Sequence, residues 1–218
     1  LENVLWFANN KEDAHEEPTI KRSRSHDYVS KEVINVRENV GLIEVANFSK
    51  HEFKGPDARK FLDHIMAGRL PKPGRISLSP MLSYRGKLCG DLTVACLDEN
   101  EFMVFGSGAA QEMHRRWFES HLDKFNLSYS NRSDEYHGLS IAGPNSRKVL
   151  EKIVRDDVSN EKFKFRDSRR MFVGGVPAII NRISFTGELG YEIYVAPHYQ
   201  LKLYEELMEA GKEFNIKP

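Results

Sequence analysis

One acidic residue, Asp91, interrupts the apolar segment Leu88–Leu97, and it is the group in this 218-residue chain best placed to do chemistry. Read as a strand, the segment sends Leu88, Gly90, Leu92, Val94 and Cys96 to one face and Cys89, Asp91, Thr93, Ala95 and Leu97 to the other. Aspartate is disfavoured inside strands, and Gly90 beside it permits close approach of a ligand or another backbone. A buried carboxylate costs free energy unless it finds partners. The residues alone leave two readings, a reactive carboxylate or one satisfied by a loop or at a strand end, and the second is the stronger. A second unusual segment runs from Arg182 to Tyr194, where a strand enters a turn with Gly187 and Gly190 and returns carrying Glu188 and Glu192. Glu192 faces away from Tyr191 and Ile193. It is either an ordinary outward charge or a carboxylate facing a heterocycle, whose amino group and ring N–H it could accept as a bidentate pair. Phe185 is a candidate stacking partner.

Other reactive types are less promising. The eight histidines form no HxH or HExxH pattern; His51, His64, His114, His121 and His137 are scattered, so surface or capping roles are expected and metal ligation is not. Cys89 and Cys96 share one apolar strand without CxxC spacing, which suits two free thiols in a reducing compartment. Gly106-Ser107-Gly108, between a strand and a helix, could bind an anion but reads alone as a tight turn. Neither GxGxxG nor GxxxxGK[ST] occurs.

The elements that must position these groups follow from periodicity and turn residues. Helices are predicted from Ser30 through Val33, Val36 and Val40 to a break at Gly41, after Gly55-Pro56-Asp57 (with Phe61, Leu62, Ile65 and Met66 on one face), and over Gln111–Leu122, Arg147–Val154 and Tyr199–Glu213. Strands are predicted near Leu42 and over His51–Lys54, Ser79–Tyr84, Leu88–Leu97, Glu101–Phe105, His137–Ile141, Arg169–Val173, Pro177–Phe185 and Gly190–Val195, several joined by hairpin-length turns. Hairpins and single helices in place of regular βαβ units indicate an α+β fold with antiparallel or mixed sheets.

Composition sets outer bounds. Lys+Arg and Asp+Glu both total 32, a balance that argues against a nucleic-acid binder needing a basic surplus. Charged residues make up 29 % and mean hydropathy is −0.54, with no apolar run of the length a membrane-crossing helix needs. Residues 10–27, polar and charge-rich with one Pro, read as a surface connection. The start without Met and the abrupt end at Pro218 read as a piece of a longer protein.

Taken in order, Val40–Val45, Glu52–Ala58, Arg85–Val94, Ile141–Pro144 and Phe185–Glu192 resemble the folate-binding domain of the glycine-cleavage T-protein (aminomethyltransferase) family. The likeness is closer to the C-terminal module of dimethylglycine dehydrogenase-like flavoproteins, through Trp6-Phe7, Met103–Gly108, Arg116-Trp117, and Asp157–Asn160 with Phe163 and Phe165. The resemblance implies a T-protein-like domain over 30–218, preceded by a linker (1–29) from an upstream FAD module and lacking the family's final barrel-like segment. It implies tetrahydrofolate as cofactor, FAD only in the upstream module, and formation of 5,10-methylenetetrahydrofolate from an N-methyl-amine-derived iminium or formaldehyde. Asp91 falls on the family's catalytic aspartate, where a partly apolar face would raise its pKa and strengthen its hold on a cation. Glu192 falls on the carboxylate that reads the pterin edge. Phe185 and Met103 stand where T-proteins carry tyrosines, and Phe105 joins them as a folate-binding residue. Partners would be folate, the one-carbon unit and the upstream FAD module, with no nucleic acid or membrane, in the cytoplasm or a mitochondrial matrix. The alternatives are a stand-alone glycine-cleavage aminomethyltransferase or a non-catalytic regulatory relative.

Overall fold

The computed structural model describes residues 5–16 and 18–218; Leu1–Val4 and Glu17, part of the expected 1–29 connection, lie outside the described residues. The described chain forms helices α1 (Ser25–Glu38), α2 (Ala58–Ile65), α3 (Gln111–Glu119), α4 (Ser146–Ile153) and α5 (Gln200–Gly211). Its strands are β1 (Val40–Glu44), β2 (Ser49–Lys54), β3 (Arg75–Leu82), β4 (Leu88–Asp98), β5 (Glu101–Gly106), β6 (Ser128–Asn131), β7 (His137–Ala142), β8 (Ser168–Val173), β9 (Val176–Asn181), β10 (Gly190–Val195) and β11 (Ile216–Lys217). They build two sheets, a six-stranded one in the order β11-β1-β7-β10-β9-β8 and a five-stranded one in the order β3-β4-β5-β2-β6. The smaller sheet is antiparallel throughout, and the larger is mixed because β11 pairs parallel with β1. The α+β class with antiparallel and mixed sheets is as expected. Among the described residues no helix is long and apolar enough to cross a membrane.

Strand alternation stacks these elements in four layers. On β10, Tyr191, Ile193 and Val195 pack with Val149 and Leu150 of α4 and Leu203 and Leu207 of α5. On β4, Leu92, Val94 and Cys96 pack with Phe61 and Leu62 of α2 and Phe118 of α3. The opposite faces meet each other, with Ala95, Met103 and Phe105 of the smaller sheet against Ile179 and Tyr194 of the larger. Each sheet is therefore buried on both faces over much of its area, which is why β10 is buried at every position.

Several boundaries differ from the sequence expectation for physical reasons. Helix α1 starts at Ser25, inside the expected connection. Strand β3 starts at Arg75; its Pro80 is tolerated because β3 is an edge strand. Strand β9 ends at Asn181, where the Ile183 N–H turns back to the Asn181 carbonyl and carries Phe185 into a loop. The short β6 and β11 have too few apolar residues to announce themselves. Asp57 stands at the N-terminus of α2, but its carboxylate accepts from the Asn126 N–H (2.8 Å) and not from its own helix. The alternation expected for Leu88–Leu97 breaks at its start. A register shift opposite Met81 and Leu82 leaves Cys89 unpaired between Leu88 and Gly90. Cys89 consequently packs on the α2–α3 side with Leu92 and Val94, while Leu88 is exposed.

Candidate functional site

A cavity of about 760 Å³ opens where the two sheets diverge. The β1–β2 turn supplies Asn47 and Phe48 to its wall; β3 and β4 supply Leu78, Asp91 and Thr93. Phe105 and the turn Gly106–Ala109 form another side, and Ile183, Ser184, Phe185 and Glu192 close it from the larger sheet. Four of the five residues singled out as site residues, Asp91, Phe105, Phe185 and Glu192, thus line one space. The fifth, Met103, does not. It pairs with Ala95, is 1 % exposed and packs in the core between the sheets.

Asp91 differs from its expectation in one respect. The side chain is exposed to the cavity, so the cost of burial does not apply to it. Register explains the placement: Asp91 opposes Pro80 on β3, and Thr93 opposes Phe105 on β5, so Asp91 lies beyond the paired end of β5 beside the Gly106–Ala109 turn. Among the described residues no protein group bonds its carboxylate, which leaves both oxygens open to the cavity.

Glu192 is the buried carboxylate of the site, 9 % exposed. It opposes Ser140 on β7 and Asn181 on β9 and faces the smaller sheet. The Tyr194 hydroxyl, two residues on and on the same face, donates to Glu192 Oε2 at 2.8 Å. Burial pushes the Glu192 carboxyl up from the usual range, and this hydrogen bond pulls part of the way back. The Tyr194 phenol is held well above its ordinary value by burial and by the carboxylate beside it. Its ring stacks on Phe105 (4.5 Å between centres, 29° between planes), tying the two sheets together behind the cavity. Lys50 Nζ sits 5.9 Å from the centre of the same ring and donates to the Ala46 carbonyl (2.6 Å), bracing the turn that carries Asn47 and Phe48. Burial pushes the Lys50 ammonium down to about 8, against the pull of Asp134 and Glu44.

Phe185 is 95 % exposed at the rim, free to lie against a planar ligand. Gly108 sits against the β1–β2 turn: a side-chain carbon there would lie 2.0 Å from the Asn47 carbonyl oxygen. Tyr194 and Lys50 were not singled out from sequence; the two-residue spacing of Tyr194 from Glu192 is the signal that could have found the first. The surface role expected for the histidines fails for His51 and His114, which are 0 % and 2 % exposed. Both cysteines are free, and among the described residues no cluster of His, Cys, Asp and Glu could hold a metal ion.

A family profile described as the GCVT N-terminal domain matches residues 1–218. Mitochondrial dimethylglycine dehydrogenase of Mus musculus is 35 % identical over 218 residues, covering 99 % of this chain and 25 % of the relative. An aminomethyltransferase of Thermoanaerobacter pseudethanolicus is 30 % identical over 186 residues, 84 % of this chain and 50 % of the relative. The crystal structure of glycine cleavage system aminomethyltransferase T from Bartonella henselae superposes with a TM-score of 0.75 at 22 % identity, over 86 % of this chain and 49 % of that one, a likeness of fold. The chain spans about a quarter of the length of the dimethylglycine dehydrogenases it matches.

Proposed function

The chain belongs to the GCVT N-terminal domain family, and from that premise we propose that it is the tetrahydrofolate-binding, one-carbon-transfer module of a dimethylglycine dehydrogenase-like enzyme. The observation that carries this reading is the convergence of Asp91, from the smaller sheet, and Glu192, from the larger, on the wall of one cavity. The greater identity to dimethylglycine dehydrogenase than to aminomethyltransferase favours the flavoprotein branch, in which FAD would belong to an upstream module.

The cavity suits a folate in size and in donor set. Its volume falls within the range of small-molecule sites, and it offers one carboxylate at depth, one near the mouth and an exposed aromatic ring at the rim. Glu192 would accept from the amino group and ring N–H of the pterin, with Tyr194 holding Oε2 in place. Phe185 would cover the ring system. Bound tetrahydrofolate supplies a nucleophilic nitrogen that takes up a one-carbon unit from an N-methyl-amine-derived iminium or formaldehyde. Asp91, with both carboxylate oxygens open, would stabilise a cationic electrophile and take the proton released at that nitrogen. Location would follow the source, the cytoplasm or a mitochondrial matrix.

Calorimetric titration of this chain with tetrahydrofolate tests the binding half, and methylene transfer by the full-length enzyme carrying Asp91→Ala tests the chemistry. Absence of folate binding together with unchanged transfer in the variant would sink the reading.

A further inference from the structure

On the face of the five-stranded sheet turned away from the cavity, three buried polar atoms have no protein partner among the described residues: Ser49 Oγ, His51 Nε2 and His114 Nδ1. Their side chains are buried to the last few per cent. Two of them, His114 Nδ1 and Ser49 Oγ, flank Gly106, where a side-chain carbon would lie 3.1 Å from each. The His51 and His114 rings stand 6.2 Å apart, centre to centre, nearly perpendicular.

The bonds these rings do make define what the bare atoms offer. His114 Nε2 lies 3.2 Å from the Cys89 carbonyl oxygen, which only accepts, so Nε2 carries the proton and Nδ1 is a lone pair. His51 Nδ1 lies 2.9 Å from the Tyr129 hydroxyl. With that hydroxyl as the donor, the His51 proton sits on Nε2. In that tautomer the pocket presents one donor, one acceptor and one hydroxyl that serves as either. Polar atoms this deep are rarely left unpaired.

We propose that Ser49, His51 and His114 form a binding site for a single buried water molecule, which accepts from His51 Nε2–H and donates to His114 Nδ1 and Ser49 Oγ. Three bonds are the usual complement of a buried water. Two bonds of about 2.9 Å meeting at one oxygen reach across the gap between the rings. A metal ion does not suit the site, because among the described residues no carboxylate or thiolate completes a ligand set.

The site bears on Asp91 through the backbone. Water on Nδ1 keeps the His114 proton on Nε2, and that proton holds the carbonyl of Cys89, the bulged residue two before Asp91. The same ring backs Gly90, where a side-chain carbon would lie 2.8 Å from His114 Nε2. The hydrated histidine pair therefore fixes the part of β4 that delivers Asp91 to the cavity.

A crystal structure of this chain at a resolution that shows ordered solvent tests the proposal without any substitution. One density peak within hydrogen-bond distance of all three atoms is expected. A direct contact between the two imidazoles, an empty gap, or a peak with the anomalous signal of a metal would overturn it. Long-range ¹⁵N–¹H NMR gives an independent readout: both rings should show the Nε2–H tautomer, and His51 in the Nδ1–H form would remove the donor on which the site depends.

Discussion

The Tyr194 hydroxyl donates a 2.8 Å hydrogen bond to Glu192 Oε2 from two residues along the same strand. Strand β10 has its outer face filled by Tyr191, Ile193 and Val195 against α4 and α5, so Glu192 and Tyr194 must both point between the sheets. There the tyrosine does two things at once. Its ring stacks on Phe105 of the opposite sheet, and its hydroxyl supplies a protein partner to the deepest carboxylate of the cavity. Glu192 is left with Oε1 and the remaining lone pairs of Oε2 for a ligand.

Tyr194→Phe is expected to keep the stack and lose the hydrogen bond. Burial already pushes the Glu192 carboxyl up, and the tyrosine opposes that push. Without it the carboxyl rises further, so the ionised form that accepts from a pterin is populated only at higher pH. Folate affinity should fall about tenfold, the worth of a hydrogen bond of ~1.5 kcal/mol to a charged group. The pH midpoint for binding should move upward. Calorimetry across the mildly acidic range checks both; an unshifted midpoint would show that Glu192 does not titrate with binding.

Asp91 and Glu192 should separate kinetically. Glu192→Gln removes an acceptor and is expected to raise the dissociation constant for tetrahydrofolate by ten- to a hundredfold, since one member of a bidentate charged pair is lost. Asp91→Asn keeps the shape of an exposed side chain and should leave that constant within about threefold, while slowing transfer by about 10²–10⁴, the usual contribution of a positioned acid or base. Single-turnover transfer measured beside equilibrium binding distinguishes them. Equal losses of binding in both variants would mean that Asp91 holds the ligand and does not handle a proton.

Much of this site was legible in the sequence because strands have a period of two. That period sent Glu192 away from Tyr191 and Ile193, and marked Asp91 as an anomaly in an apolar run. What remained hidden depends on pairing between distant segments. The bulge at Cys89 arises only when β4 is laid against β3, and it reverses the face assigned to Cys89. Met103 faces the same side as Phe105 but opposes Ala95, farther from the open end of the sheets, and so becomes core while Phe105 lines the cavity. His51 and His114 looked like surface residues because nothing local says that α3 closes over β2.

Gly108 offers a test of the cavity wall that does not involve either carboxylate. A side-chain carbon at this position would meet the Asn47 carbonyl oxygen at 2.0 Å, a backbone atom that cannot swing aside. Gly108→Ala should therefore push apart the Gly106–Ala109 and β1–β2 turns, both of which line the cavity. A destabilisation of about 1–3 kcal/mol, typical of overpacking, is expected in urea unfolding, with weakened folate binding. Gly175→Ala makes a suitable control: its side-chain carbon would touch nothing, though its φ of +78° adds backbone strain of its own. Loss of binding in Gly108→Ala but not in Gly175→Ala, at similar stability, would locate the effect at the wall.

His51 should make the fold acid-sensitive in a definite window. Burial pushes its imidazole down to about 4, with His114 acting in the same direction and Glu112 opposing. An unfolded chain releases the same proton near pH 6.5. Between these values the unfolded chain binds more protons, so stability rises with pH through the window and is complete above it. Falling from pH 6.5 to 4, the fold should lose up to about 1.4 kcal/mol per pH unit, about 3 kcal/mol in all, from this residue. Acidic side chains also titrate below pH 5, so the useful quantity is a difference. Urea unfolding of the wild type and of His51→Gln at pH 7 and pH 5 should show the wild type losing about 2 kcal/mol more than the variant. Equal losses would mean that His51 is protonated in the folded state at mildly acidic pH, despite the burial of its ring against Phe118.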